Sequence, residues 1–214
     1  MEKNIAADIL ELWDKYDGSM EKYDIVSCVK GCYLIHEFFV TLGVPAMHPV
    51  ANTIKTSCDS LEKIYEGDET KMIGVQSILE EVAKDRKGKR VMTQYQKAAL
   101  ALVHVMEFIL TFLKNSVLEE GKFDSPKAAG RAAYADTLSK HHNWAVKKIY
   151  NAGMAACPNL NSICCGLFRH KKGTMDVTEA HKAYVKEHIA ICIGKGEPLL
   201  ATLASGLDFE VKEE

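Results

Sequence analysis

The stretch AALALVHVMEFILTFL, Ala98 to Leu113, is the most apolar run in this chain, and it indicates the class of fold. Its apolar residues occupy nearly every position around a helix, whereas a helix at a protein surface keeps one polar face. It is too short to span a bilayer, and His104 and Glu107 interrupt it. The stretch therefore predicts a buried helix at the centre of a helical bundle.

The rest of the chain also has helical periodicity, and the alternating pattern of strands is hard to find. Pro49 and Pro126 stand where the first turn of a helix tolerates proline, and Ser125 is a suitable N-cap. The predicted helices cover residues 4–16, 22–42, 49–66, 69–86, 91–118, 126–140, 142–157, 176–193 and 196–205. We expect an all-α fold over residues 1–214 as one domain, a two-layer helical sandwich more readily than a four-helix bundle.

Composition limits the partners of the protein. The net charge of −2 and the pI near 6.5 exclude a global basic field, so we expect no nucleic-acid partner, and any membrane attraction must be local. Charges at Glu2, Lys3 and Asp8 break the apolar core that an export signal needs. Seven cysteines without a CxxC pair fit neither a disulfide framework nor a zinc site. We therefore expect a cytoplasmic protein without a transmembrane segment.

Sequence patterns of enzymes are missing as well. The chain has no HExxH pair, no GxSxG elbow and no glycine-rich phosphate loop. The adjacent His141 and His142 would point about 100° apart on a regular helix, so they cannot share a metal ion. We expect no enzymatic activity, no cofactor and no metal.

The stretch SKHHNWAVKKIYNAGMAACPN, Ser139 to Asn159, places two rings in opposite environments. At 100° per residue, one arc of the predicted helix is apolar and the other is basic, with His141 at their border. The apolar arc contains His142, Val146, Ile149, Tyr150, Gly153, Met154, Ala156 and Cys157, and the basic arc contains Trp144, Lys147, Lys148 and Asn151. His142 is thus either a core histidine with a hydrogen-bond partner or a ligand-binding group. Trp144 either lies under another helix or docks on a bilayer.

Several segments in collinear order resemble the glycolipid transfer protein superfamily. They are HHNWAVKKIYNAGMAACP, FFVTLGVPAMHPVANTIKTSCDSLEKIY (Phe38 to Tyr65), QSILEEVAKD, ALALVHVMEFILTFLKNSV and the end LDFEV. The resemblance implies a two-layer sandwich of about eight helices that encloses a hydrophobic pocket for ceramide chains beside a polar headgroup site. It also implies a protein that moves sphingolipids between membranes without covalent chemistry.

The resemblance assigns a role to each of the two rings, His142 and Trp144, in the stretch Ser139 to Asn159. The family's histidine aligns with His142, which would hydrogen-bond the ceramide amide oxygen. The family's membrane-facing tryptophan aligns with Trp144, which would dock on a membrane together with Lys147 and Lys148. Both assignments agree with the helical phase.

The headgroup positions depart from the family. Where glycolipid carriers have an aspartate, an asparagine and a lysine, the alignment places Thr53, Ser57 and Ser60. Helical phase turns the neighbouring Asn52 and Lys55 towards water instead. The charged clamp of glycolipid carriers is therefore replaced by hydroxyls.

The central helix, Ala98 to Leu113, also departs from the family. Ala101 replaces the tryptophan that stacks on sugar, and Leu100 and His104 replace the two arginines of the phosphate-binding branch. The remaining donors, Thr53, Ser57, His104 and His142, suit a small neutral or monoanionic headgroup. Headgroup specificity stays open.

The chain pocket is predicted from the resemblance and the helical phase together. Its expected lining is Phe38, Val50, Phe108, Phe112, Tyr150, Met154 and Ile163, although residues of these types are more often plain core than the wall of a ligand pocket. The tail GLDFEV is expected to fold back on the pocket, with Phe209 in place of the family's tyrosine. We expect a non-enzymatic sphingolipid transfer protein; the alternative is a lipid sensor or adaptor that binds a sphingolipid or ceramide-1-phosphate without efficient transfer.

Overall fold

Helices make up almost all of the chain that the computed structural model describes, namely residues 4–13, 25–64, 74, 76–80, 83–84, 88 and 90–207. They are α1 (Ile5–Trp13), α2 (Ile25–Leu42), α3 (His48–Glu62), α4 (Gln76–Glu80), α5 (Gln94–Leu113), α6 (Pro126–Asp136), α7 (Trp144–Gly153), α8 (Leu160–Leu167) and α9 (Glu179–Leu207). Single 3₁₀ turns cover Pro45–Met47, Leu138–His141 and Met154–Ala156, and a π turn, Lys114–Leu118, extends α5. The all-α prediction is confirmed.

Helix α5 lies at the centre, as its composition predicts. It packs against α3, α6 and α9, while α2 packs against α1, α3 and α8 to complete the two-layer sandwich. Phe108 and Phe112 on α5 are fully buried. The helix begins at a capping box in which Thr93 and Gln96 exchange side-chain and backbone hydrogen bonds. The buried Gln96 amide also donates to the Ile78 carbonyl over 2.9 Å, which ties α4 to α5.

The prediction of a helix over 69–86 is wrong for its last residues. Ala83–Lys84 forms strand β1, which pairs antiparallel with strand β2, Arg90–Val91. Gly88, between the two strands, has a φ of 77°, which favours glycine in a tight turn. The predicted helix over 91–118 therefore begins only at Gln94, because Val91 already belongs to the strand pair.

Two further helix predictions need correction near the end of the chain. Residues Leu160–Leu167 form α8, where no helix is predicted, and Asn159 caps it by accepting from the Ser162 amide. The two predicted helices 176–193 and 196–205 are one continuous helix, α9, with Pro198 inside it. Its buried stripe continues on both sides of the proline, so packing stabilises a helix that the proline weakens.

Arg169 fastens α1 and α2 to the end of α8. Its guanidinium forms 2.8 Å ion pairs with Asp8 of α1 and Glu37 of α2. Its φ of 60° lies in the left-handed region that side chains other than glycine seldom adopt. The left-handed residue ends α8, because the Arg169 and His170 amides donate back to the Gly166 and Cys165 carbonyls.

Two described helices, Ile25–Leu42 and the run Gln94–Leu118, are long and apolar enough to cross a membrane by length and composition alone. About half of each is buried against other helices of the fold, at 44% and 56% of the residues tested. That burial is typical of core helices. The predicted fold-back of the tail around Phe209 lies outside the described residues.

Candidate functional site

Three aromatic side chains form a cluster where α6 is joined to α7: Tyr134 on α6, Tyr150 on α7 and His142 on the segment between them. The Nδ1 atom of His142 lies 3.0 Å from the hydroxyl of Tyr134 on α6. The rings of Tyr134 and Tyr150 stack with 5.0 Å between their centroids, and His142 lies 4.8 Å from Tyr150. The predicted apolar environment and hydrogen-bond partner of His142 are therefore both present.

The local backbone differs from the predicted helix over 142–157. His142 is extended, with φ −107° and ψ 136°, and it follows the 3₁₀ turn Leu138–His141. Asn143 caps α7 by accepting from the Val146 amide over 3.1 Å, so the helix begins at Trp144. The helical phase applied to His142 was wrong, because asparagine favours the N-cap over the helix interior. His142 still turns inward, since Tyr134 binds it.

His141 and His104 form a second ring pair beside this cluster. Their imidazoles stack in parallel, with 3.5 Å between centroids and 11° between planes. His104 projects from the middle of α5 and is half-buried, whereas His141 is exposed. The structure thus brings His104 of α5 close to the segment that contains His141 and His142, so two of the four predicted headgroup residues, His104 and His142, are near each other.

The site is polar but carries little charge. Burial, reinforced by His141 and His142, lowers the pKa of His104 to about 4. Burial, and to a smaller extent His141 and Lys147, also lowers the pKa of His142. Burial raises the pKa of Tyr150 to about 12 and lifts that of Tyr134 above its usual value. At neutral pH these groups are therefore uncharged hydrogen-bonding partners.

The lowered pKa of His104 predicts that acid destabilises the fold. The unfolded imidazole binds a proton below about 6.5, whereas the folded one stays neutral to about 4, so the unfolded state binds more protons between these values. We expect the folding equilibrium constant to drop about tenfold from pH 7 to pH 5, allowing for solvent screening of a half-buried group. Urea unfolding of wild type and His104→Gln at pH 7 and pH 5 measures the change in the folding equilibrium constant. An equal pH dependence in the two proteins would contradict the assignment.

The predicted headgroup residues of α3 form no hydrogen bond with the histidines in the described structure. Thr53 is half-buried and donates its hydroxyl to the Pro49 carbonyl over 3.0 Å, within its own helix. Ser57 is buried, at 5% exposed. Among the described residues, no hydrogen bond links either hydroxyl to His104 or His142. Asn52 and Lys55 are exposed, as their phase predicts.

The residues predicted to line a chain pocket are all buried. Phe38, Val50, Phe108, Phe112, Met154 and Ile163 are at most 2% exposed, and Tyr150 is 8% exposed. Of these, Phe38 borders a small apolar cavity between α1, α2, α5 and α9. A larger apolar cavity lies between α2, α5 and α9, and its lining residues are outside the predicted set.

The exposed face of α7 carries apolar and basic side chains together. Trp144 is 71% exposed and Ile149 is 64% exposed, and Lys147 and Lys148 are exposed beside them. The ammonium of Lys148 lies 4.2 Å from the centre of the Trp144 ring. The inward prediction for Ile149 was wrong, because the inward stripe of α7 is narrow and runs through Val146 and Tyr150. We call the four exposed residues the docking surface.

Tyr134 is absent from the predicted site residues. A tyrosine at the end of the small apolar run AAGRAAY is the signal that could have indicated it, since a buried hydroxyl needs a partner. Ile149 is absent from the predicted docking residues for the reason given above. Among the described residues, no group of three or more His, Cys, Asp or Glu side chains is placed to hold a metal ion.

Comparison with known proteins identifies the family. The sequence profile described as "Glycolipid transfer protein (GLTP)" matches residues 24–167, about two thirds of the chain. The glycolipid transfer protein of Danio rerio is 28% identical over 129 residues, which cover 56% of this chain and 59% of that relative. The chain thus matches less than two thirds of the length of this curated relative.

Solved structures show the same fold. Mouse ceramide-1-phosphate transfer protein in its apo form has a TM-score of 0.74 at 14% identity, over 95% of this chain and 98% of its own. The GLTP-fold of FAPP2, described as selecting simple glycosphingolipids, has a TM-score of 0.72 at 20% identity. The match covers 100% of this chain and 96% of that one. With the profile match over most of its length and this shared architecture, the chain belongs to the glycolipid transfer protein family.

Proposed function

We propose that this protein binds a sphingolipid and carries it between membranes in the cytoplasm, without enzymatic chemistry. The proposal depends on one observation: two residues that are close in sequence have opposite environments. His142 is held inward by Tyr134, and Trp144, two residues later, is 71% exposed. One short segment thus offers a polar anchor for a lipid and an apolar side chain for a bilayer.

The hydrogen bond between Tyr134 and His142 suits an amide oxygen. In the tautomer in which the tyrosine hydroxyl donates to Nδ1, the proton of the imidazole is on Nε2. That N–H is then a donor for the carbonyl of a ceramide amide. Its neutral state at physiological pH, favoured by burial, matches a neutral acceptor.

The headgroup that fits this site is small and neutral. His104 stays uncharged because of its lowered pKa, and the hydroxyls of Thr53 and Ser57 carry no charge. Bidentate arginine contacts are stronger than neutral hydrogen bonds, so we expect modest headgroup affinity. Burial of the chains contributes about 0.8 kcal/mol per methylene and supplies most of the binding energy.

Transfer between vesicles tests the proposal. Donor vesicles containing labelled ceramide, ceramide-1-phosphate, galactosylceramide or lactosylceramide are mixed with unlabelled acceptor vesicles and the protein. We expect accelerated transfer of at least one lipid with a small headgroup. The absence of transfer for all four would overturn the carrier function.

A sensor or adaptor is the second candidate, and one observation favours it. The hydroxyl of Thr53 is already bonded within α3, and Ser57 is buried, so the two residues that replace the family's charged clamp offer few free contacts to a headgroup. Weak headgroup selection suits a protein whose bound state is read by a partner. Stable binding of a sphingolipid with no transfer would support this role over the carrier.

His142→Ala tests the amide anchor. Loss of one hydrogen bond costs about 1 kcal/mol, so we expect about fivefold weaker sphingolipid binding with cooperative thermal unfolding retained. Tyr134→Phe leaves the imidazole in place and removes only its partner, so it should weaken binding less. Affinities measured by titration with a soluble short-chain ceramide compare the three proteins. Unchanged affinity in His142→Ala would remove this residue from the site.

A further inference from the structure

Two imidazole rings are stacked where α5 meets the segment between α6 and α7. The centroids of the His104 and His141 rings lie 3.5 Å apart, and the ring planes differ by 11°. His104 belongs to the otherwise apolar middle of α5, and His141 ends the 3₁₀ turn that leads into His142. The stack therefore connects the central helix to the segment that carries the proposed amide anchor.

Neither ring of the stack has a hydrogen-bond partner among the described residues. Of the three neighbouring imidazoles, only that of His142 is bonded, to the Tyr134 hydroxyl. A neutral imidazole has one donor and one acceptor nitrogen, and a buried polar group normally bonds at least one partner. The His104 ring is half-buried, so its unbonded nitrogens are unexpected for plain core. The stack thus has hydrogen-bonding capacity left for a ligand.

The groups that act on these histidines supply no negative charge. Burial comes first among the causes that lower the pKa of His104, followed by His141 and His142. For the pKa of His142, burial is again first, followed by His141 and Lys147. Every group in these two sets is a base, and none of the described carboxylates belongs to either. A proton on the stack would therefore lack a counter-charge, which keeps the rings neutral in the free protein.

The other titratable side chains nearby do not supply that counter-charge. Glu107 lies about one turn further along α5 and borders a separate cavity together with Lys140. Tyr134 and Tyr150, which contact His142, have pKa values raised by burial and stay uncharged. Among the described residues, no titratable side chain of α3 or α9 affects the pKa of the histidines.

An anionic headgroup beside His142 would provide the missing counter-charge. A negative charge within about 4–6 Å favours the protonated imidazole and raises its pKa. Two rings in contact titrate as one unit, and a second proton would place two positive charges on rings only 3.5 Å apart. The pair can therefore accept one proton, and the hydrogen bond that it then donates to the anion is charge-assisted.

We propose that His104 and His141 act as one proton-accepting pair, which takes up a single proton when an anionic headgroup lies beside His142. The ligand class is a sphingolipid with a phosphate monoester, such as ceramide-1-phosphate, whose charge at pH 7 is about −1.5 to −2. The proton comes from solvent, and no covalent bond of the lipid changes. Acid then shifts the headgroup preference from uncharged ceramide towards phosphorylated ceramide. This proposal rests on the lipid-binding function proposed above.

The affinity for ceramide-1-phosphate should rise as the pH falls from 7.5 to 6. Linkage to one proton gives an increase of up to about tenfold per pH unit. The range ends at pH 6, because the phosphate itself takes up a proton with a pKa of about 6. Titration calorimetry with soluble short-chain lipids, in two buffers of different ionisation enthalpy, measures the affinity and the number of protons taken up. We expect close to one proton for ceramide-1-phosphate and none for ceramide.

His141→Gln tests the pair without disturbing the core, because His141 is exposed. It leaves His104 alone, and burial lowers the pKa of that ring to about 4, so proton uptake should fall below half of the wild-type value. The double variant with His104→Gln should abolish the uptake, and thermal unfolding checks that it folds. His170→Gln is the matched control, since His170 is a partly exposed histidine beyond the end of α8. It should keep the wild-type uptake.

Uptake that falls in His141→Gln and the double variant but not in His170→Gln supports the proposal. Equal uptake in wild type and His141→Gln, or binding of ceramide without any binding of ceramide-1-phosphate, overturns it while lipid binding stands. Inorganic phosphate alone separates a lipid headgroup from a free anion: the same uptake with inorganic phosphate would overturn the link to a lipid. If wild type binds no ceramide, ceramide-1-phosphate or galactosylceramide at any pH, the proposed function fails first.

Discussion

Replacing both Trp144 and Ile149 with alanine is expected to weaken binding to vesicles about thirtyfold. These side chains are 71% and 64% exposed, on the same helix as Lys147 and Lys148. Inserting an indole and a branched aliphatic group into the bilayer interface contributes about 2 kcal/mol, even when burial is partial. The lysines add electrostatic attraction to anionic lipid that decreases with salt.

A soluble ligand separates docking from lipid binding. Binding of a short-chain ceramide in solution should be unchanged in the double variant, because neither side chain packs in the core. Ile191→Ala is the matched control: Ile191 is an isoleucine 42% exposed on α9, away from the docking surface. Sedimentation with vesicles measures the affinity. Equal loss in Ile191→Ala, or no loss in the double variant, would refute the docking assignment.

Gly130→Val is expected to lower the free energy of unfolding by about 3 kcal/mol, in the range of overpacking a tight core contact. A Cβ atom at Gly130 would lie 3.2 Å from the Met154 sulfur and would overlap the thiol of Cys157. Helix α6 can approach the turn Met154–Ala156 only because this position lacks a side chain. The same approach places Tyr134, also on α6, against Tyr150 and His142.

Cys157→Ala in the same background gives a specific rescue. Removing the thiol should recover part of the stability lost in Gly130→Val, so the two effects should be non-additive in a double-mutant cycle. Gly194→Val is the control, because Gly194 is a helical glycine with open space around it. Chemical denaturation measures wild type and all four variants. A comparable loss at Gly194, or strict additivity with Cys157→Ala, would show that the contact is not the cause.

The centre of the fold was predictable because it depends on composition alone. A helix without a polar face can lie only at the centre of a bundle, and α5 does so. The helix ends that were not predicted depend on competition between local hydrogen bonding, backbone preference and tertiary packing. Asn143 and Asn159 each cap a helix in a way that periodicity does not reveal, and Pro198 stays inside α9 because tertiary packing outweighs its local preference.

The site was predictable in part. The inward position of His142 and the outward positions of Trp144, Asn52 and Lys55 follow from sequence pattern, although His142 lies outside the helix used to derive its phase. The stack of His104 on His141 joins residues far apart in sequence, so no helical phase could predict it. The two small apolar cavities lie between helices far apart in sequence, and voids depend on how side chains fit rather than on their hydrophobicity.

The proposed function requires this protein to hold a sphingolipid. Native mass spectrometry tests it most directly, after incubation of the protein with vesicles containing ceramide, ceramide-1-phosphate, galactosylceramide or lactosylceramide and re-isolation of the protein. We expect a protein ion that carries one sphingolipid for at least one of these headgroups, with lower occupancy in His142→Ala than in wild type. Bare protein after incubation with all four lipids would mean that the protein does not bind a sphingolipid.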